Sequence, residues 1–152
     1  MWKDFLKKGA AVTKKFSGCY ERTLDIKKRI VMPPKIRDVM GCKEFILFSD
    51  PKEEFLRIYR EEDWDEVTDE LLYANNGVDK TKLQRKVSLN YINCEMDAQN
   101  RVVLPGRFID RAGIIRDIVI LGVGKRVEIW SKERFEKMLE DDTEPVDIQL
   151  RY

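Results

Sequence analysis

The chain has no histidine and only three cysteines among its 152 residues. Without histidine there is no Ser-His or Cys-His pair and no HExxH helix, which excludes the commonest nucleophilic and zinc-dependent chemistries. Cys19, Cys42 and Cys94 are widely spaced and form no CxxC pair, so a disulfide framework or zinc site is not expected and a reducing compartment fits. Its glycines make no phosphate-cradling loop. Long apolar runs are missing too. No stretch approaches the roughly 20 residues a membrane span needs, and the Lys-rich first residues lack the apolar core and small-residue cleavage site of a signal peptide. These absences point to a cytoplasmic protein that is not an enzyme, uses no cofactor or metal, takes no small-molecule substrate and does not enter a membrane.

What is present is a stretch written twice. Leu24-Asp25-Ile26-Lys27-Lys28-Arg29-Ile30-Val31-Met32-Pro33 is answered by Met96-Asp97-Ala98-Gln99-Asn100-Arg101-Val102-Val103-Leu104-Pro105. An offset of 72 residues aligns Asp25 with Asp97, Arg29 with Arg101, Pro33 with Pro105 and Gly41 with Gly113. A second block, Phe55 to Trp64, matches Arg126 to Phe135 at an offset of 71. Matched blocks in the same order at nearly the same spacing argue for an internal duplication. Each half alone would be a marginal fold of about 60–70 residues, so the halves are expected to interlock around a shared core.

Net charge is only +1, but the charges are segregated: +7 over residues 1–48, −8 over 49–79, +5 over 80–129 and −3 over 130–152. Both Asp-xxx-Arg segments are therefore basic and the segments after them acidic. Two readings follow equally from charge alone. The basic segments share one face and make it positive, or basic strands simply neutralise acidic helices.

Each copy reads as strand, polar turn, strand, proline and short helix. Phe16 to Leu24 is the first strand, Asp25 to Lys28 the turn, and Arg29 to Met32 the β-branched return. Pro33-Pro34 suits a helix start, and Gly41 its C-terminal cap. Strand pairs follow at Glu44–Phe48 with Phe55–Tyr59 and at Ile118–Val123 with Arg126–Trp130, and Gly122-Val123-Gly124-Lys125 supplies a hairpin turn. Helical faces follow at Trp64, Val67, Leu71 and Leu72, and at Phe135, Met138 and Leu139 behind Ser131 as N-cap. Tyr73 to Val78 reads as the linker and Asp79 to Asn90 as one more helix. The organisation expected is an N-terminal extension over 1–15, amphipathic but interrupted by Gly9; a first repeat over 16–72; a linker and helix over 73–90; a second repeat over 91–140; and a loose acidic tail over 141–152.

Asp25 and Asp97 are poor general acids, because an arginine four residues on lowers a carboxyl pKa. As a binding element the motif is better placed. An arginine at the start of a strand has a fixed base, and its planar fork matches the two acceptors on guanine's major-groove edge as well as phosphate oxygens. The aspartate would orient that fork, and Lys27, Lys28, Lys35, Arg37 and Arg107 would add phosphate contacts. The same pairs also read as hairpin braces with no ligand.

Strand, Asp-xxx-Arg turn, strand, Pro and short helix resembles the AbrB-type swapped-hairpin DNA-binding module. Two copies in a chain of this length resemble the MraZ family of bacterial transcriptional regulators. The residues carrying the likeness are Phe16-x-Gly18-x-Tyr20, Leu24-Asp25-x-Lys27-x-Arg29, Pro33-x-Lys35-x-Arg37, Asp97-x-x-x-Arg101-Val102-x-Leu104-Pro105, Ala112-Gly113 and Glu128-Ile129-Trp130. The resemblance implies an α+β fold: a duplicated swapped-hairpin β-barrel, pseudo-two-fold within one chain, with short flanking helices. It further implies a homo-oligomeric ring, associated with the nucleoid, binding short tandem repeats in double-stranded promoter DNA of a division and cell-wall gene cluster. On this reading Arg29 and Arg101 face DNA, Lys27 and Lys35 support them, and Asp25 and Asp97 orient them. An antitoxin-like interaction module and an oligomeric scaffold without DNA function remain alternatives. Where the family motif carries glycine before the arginine, this chain has Lys28 and Asn100. Asparagine accepts left-handed backbone and lysine does so poorly, so the first turn is expected to differ in shape from the second.

Overall fold

The structure, a computed structural model, describes residues 14–149. The expectations for residues 1–13 and 150–152 lie outside the described residues. The chain runs β1 (Cys19–Thr23), β2 (Arg29–Val31), α1 (Pro34–Met40), β3 (Glu44–Phe48), β4 (Leu56–Arg60), a 3-10 turn (Glu61–Asp63), α2 (Trp64–Ala74) and α3 (Lys80–Leu89). It continues through β5 (Tyr91–Glu95), β6 (Arg101–Val103), α4 (Gly106–Ala112), β7 (Asp117–Val123), β8 (Arg126–Ser131) and α5 (Lys132–Asp141).

Proline and glycine punctuate both halves in the same way. Pro33 (φ −61°, ψ 144°) and Pro105 (φ −61°, ψ 142°) hold extended backbone just before α1 and α4. Gly41 (φ 75°) and Gly113 (φ 65°) end those helices in the left-handed conformation that glycine adopts without a Cβ penalty. Asp79 caps α3, its Oδ1 accepting from the Thr81 and Lys82 amides, and the Ser131 hydroxyl caps α5 by accepting from Arg134 N at 3.1 Å. The expected linker at Tyr73 is corrected: α2 continues through Ala74, and Asn75 Nδ2 closes it by donating to Leu71 O at 2.7 Å. No residue before Asn75 breaks the helix.

Six strands form one antiparallel sheet in the order β1-β7-β8-β4-β3-β5, and β2 and β6 pair separately as a two-stranded ribbon. Exchange of the halves, β1 for β5, β3 for β7 and β4 for β8, returns the same order reversed. At the sheet centre Arg57 of β4 stands opposite Glu128 of β8, and in the ribbon Ile30 stands opposite Val102. Both are pairs of equivalent positions in the two copies. Each half supplies strands to both sheets, so the halves interlock. Hydrogen bonding does not run round a closed barrel as expected, because β2 and β6 bond each other and leave β1 and β5 as open edges.

Side-chain alternation divides the molecule into layers. One face of the large sheet buries Phe45, Leu47, Leu56, Ile58, Ile118, Ile120, Val127 and Ile129 against Ile30 and Val102 of the ribbon and Ile36, Phe108 and Ile109 of α1 and α4. The opposite face packs Ile46, Phe48 and Tyr59 on Trp64 of α2, with Val87 of α3 beside them. On that same face Trp130 stacks on Phe55 at 4.5 Å and meets Phe135 of α5 at 6.1 Å. The ribbon and the layer formed by α2, α3 and α5 thus lie on opposite sides of the sheet. Among the described residues no helix is long and apolar enough to cross a membrane.

Candidate nucleic-acid interface

The ribbon is short, three residues from each half, and its inward residues Ile30 and Val102 are fully buried. Alternation therefore turns Arg29, Val31, Arg101 and Val103 outward as a two-by-two block. Arg29 stands opposite Val103 and Arg101 opposite Val31, which makes the two arginines diagonal neighbours, about 7–8 Å apart on such a ladder. Val31 and Val103 are 47% and 59% exposed.

Each arginine is held by the turn before it. Asp25 Oδ1 accepts from the amides of Lys27 (2.9 Å) and Arg29 (2.8 Å), and its Oδ2 accepts from Arg29 Nε at 2.8 Å. Asp97 repeats the arrangement with the amides of Gln99 and Arg101, both at 2.9 Å, and with Arg101 Nε at 2.8 Å. One carboxylate thus fixes both the turn and the fork, and because it takes Nε, the outer ends of the guanidinium groups project. Partial burial opposes ionisation of Asp25, but the Arg29 amide, fork and charge outweigh it and hold the carboxyl below its ordinary value. At Asp97 the Arg101 amide is the foremost cause of the same lowering. The two carboxylates stay ionised, in keeping with bracing and not with acid catalysis.

The expected difference in turn shape is corrected. Lys28 has φ 64° and Asn100 φ 61°, and the backbone bonds match: Lys28 N to Asp25 O at 3.0 Å and Asn100 N to Asp97 O at 3.0 Å. The carbonyls of these two residues accept from the opposite half, from Leu104 N and Met32 N, each at 2.9 Å. That cross-half bonding requires the left-handed residue whatever its side chain, so lysine takes the strain.

Lys27, Lys28 and Lys35 are exposed and join no ion pair among the described residues. Arg37 is instead turned to the scaffold, its Nε donating to Met32 O at 3.3 Å. Arg107 is exposed but tied, Nη1 donating to Leu89 O at 2.9 Å while the guanidinium lies over the Phe108 ring at 4.7 Å. Two cations escaped the sequence reading. Lys43 and Arg116 are exposed, and their carbonyls accept from Met96 N (3.0 Å) and Leu24 N (2.7 Å), the residues just before the motif aspartates. The signal available was a cation shortly after the capping glycine in each copy.

Comparison with known proteins gives the family. Residues 89–148 match the family described as "MraZ protein, putative antitoxin-like". A protein of Lachnoclostridium phytofermentans named "Transcriptional regulator MraZ" is 34% identical over 131 residues, covering 86% of this chain and 92% of its own. The chain belongs to the MraZ family. Relatives of the same name from Mycoplasma mobile, 36% identical over 80% of this chain and 82% of its own, and from Heliobacterium modesticaldum, 32% identical over 80% and 85%, extend the match. The match to the Lachnoclostridium protein takes in both Asp-xxx-Arg segments, since 131 of the 152 residues are covered.

Proposed function

We propose that the chain is a DNA-binding transcriptional regulator that contacts double-stranded promoter DNA through the β2–β6 ribbon. The observation that carries this reading is the pair of braced arginines, Arg29 and Arg101, set diagonally on an outward ribbon with their fork ends projecting. A two-stranded ribbon fits the major groove, and an arginine fork pairs with guanine O6 and N7. Lys27, Lys28, Lys35, Lys43 and Arg116 surround it as phosphate contacts, and the names of the relatives support the same role. The fold in this reading is the duplicated AbrB-type swapped hairpin, a dimer of hairpins within one chain, which the cross-half pairing of β2 with β6 supports.

Three-residue strands cover about 10 Å, or about three base pairs. One protomer can read only a short element, so useful affinity requires several protomers on adjacent elements. That is the physical case for a homo-oligomer, in this reading a ring, on tandem repeats. The reading is tested by fluorescence anisotropy with the duplex upstream of the chain's own gene against a scrambled duplex across a salt series. Preference for the upstream duplex, weakening steeply with salt, is expected, and Arg29→Ala with Arg101→Ala together should remove the preference. A double variant that binds like the original protein would overturn the assignment and favour an antitoxin-like module, for which co-purification with a small basic protein is the direct check.

A further inference from the structure

The two turns share a backbone and differ in everything they present. The first carries Ile26, Lys27 and Lys28 where the second carries Ala98, Gln99 and Asn100. Ile26 is 95% exposed at the tip of its turn, an apolar side chain between the motif aspartate and two lysines. The arginines differ as well. Arg101 Nη2 donates to Gln99 Oε1 at 2.7 Å, so its fork is held at Nε by Asp97 and again at one outer nitrogen. Arg29 is held at Nε alone, and among the described residues neither of its outer nitrogens has a hydrogen-bond partner. The helix starts repeat the contrast. Lys35 stands exposed and among the described residues has no polar partner, while its counterpart Arg107 is committed to Leu89 O and the Phe108 ring.

These differences are independent of one another and all point the same way. We infer that the two halves engage DNA unequally, with the first repeat as the principal contact: Arg29 takes a guanine edge end-on through both outer nitrogens, and Lys27, Lys28 and Lys35 take neighbouring phosphates. The inference rests on the DNA-binding reading and deepens it. A guanine presents two acceptors side by side, and an end-on fork needs both outer nitrogens available. At Arg101 the Gln99 amide must first be displaced, and the group displaced is then left to find water. Each lysine that neutralises a phosphate steepens the logarithmic salt dependence by about 0.9, and the second turn has no lysine to contribute. Ile26 adds an apolar surface suited to a thymine methyl group, which Ala98 is too small to match. The pseudo-symmetry of the backbone is thus broken in charge and in hydrogen-bonding capacity.

The test compares Arg29→Ala with Arg101→Ala, and adds the turn exchange Ile26→Ala, Lys27→Gln, Lys28→Asn, on the upstream duplex and on a mixed-sequence duplex. The exchange gives the first turn the side chains of the second, and Asn at the left-handed position keeps the fold. Lys27→Gln alone, at an exposed side chain, provides a second variant with no structural risk. Arg29→Ala should weaken binding to the upstream duplex at least tenfold more than Arg101→Ala. The turn exchange should lower the salt slope on both duplexes by about 2, and Lys27→Gln by about 1. Equal losses from the two arginine variants, or a greater loss from Arg101→Ala, would overturn the unequal reading while leaving DNA binding in place. No loss from either variant would instead remove the DNA-binding reading of this face.

Discussion

Lys28 carries a backbone conformation that its side chain disfavours. At φ 64° an L-residue other than glycine or asparagine is strained by roughly 1–2 kcal/mol. Asn100 sits at φ 61° with less strain because its short polar side chain suits that region. Lys28→Gly should therefore raise the unfolding free energy by about 1 kcal/mol, measured by urea denaturation, whereas Asn100→Gly should change it little. Lower stability of Lys28→Gly would mean that the lysine side chain contributes contacts the turn needs. The aspartates set a pH dependence at the same scale. The folded pKa of Asp97 lies below its ordinary value of 3.8, so its brace contributes stability above that pH and loses it as pH falls through the folded value. Asp25 acts in the same direction. Acid titration followed by far-UV circular dichroism should show a loss of stability below pH 3.8 that is smaller in Asp97→Asn; an identical acid limb in the variant would count against the brace.

At the scale of elements, the β1–β7 pairing is prolonged past the start of β1. Phe16 exchanges backbone hydrogen bonds with Gly124, N to O at 2.7 Å and O from N at 3.0 Å, and Gly122 N donates to Gly18 O at 2.8 Å. A Cβ at Gly122 would overlap the backbone of Phe16 and Ser17, whereas one at Gly124 meets open space. Gly122→Ala should therefore lever the start of the first strand away from β7 and cost about 1–3 kcal/mol by thermal unfolding. Gly124→Ala should cost only the strain of its positive φ, so similar losses at the two sites would show that contact with Phe16 is not what matters. The hairpin turn was legible from Gly124, although Gly122 and Val123 belong to β7 and not to the turn; the caps at Gly41, Gly113 and Ser131 were legible too, because local backbone geometry admits few residue types. The extension of α2 through Tyr73 and Ala74 was not legible. It depends on Asn75 turning back onto Leu71 O, and the same residue reads equally as the first of a loop.

At the scale of the whole molecule, the segregated charges resolve into layers. Helix α2, with its acidic residues, packs across the sheet from the ribbon, and the links between basic and acidic segments are peripheral, such as Lys125 to Glu66 at 3.1 Å and Lys132 to Glu21 at 3.7 Å. Lys27, Lys28 and Lys35 pair with none of the acidic helices among the described residues, so the basic segments are not simply neutralised. On the proposed DNA-binding reading, the small ribbon calls for assembly. Sedimentation velocity at micromolar protein should give a single species several times the monomer mass. A monomer at that concentration would leave a footprint of a few base pairs with no gain from effective concentration, and the ring reading would fall.

The sequence by itself determined the order of strands and short helices, the punctuation by proline and glycine, and the pairing of each motif aspartate with its arginine. All of these depend on contacts within about five residues or on a periodicity that one strand or helix imposes. Only the tertiary structure decided that β2 pairs with β6 across the halves, which residues of each strand face outward, and therefore that Arg29, Arg101, Val31 and Val103 share one surface. It alone also separated Arg37 and Arg107, drawn to backbone carbonyls, from the lysines left exposed. Those outcomes depend on register between segments about 70 residues apart, where a slip of one residue would turn every side chain to the other face. No local pattern encodes that choice.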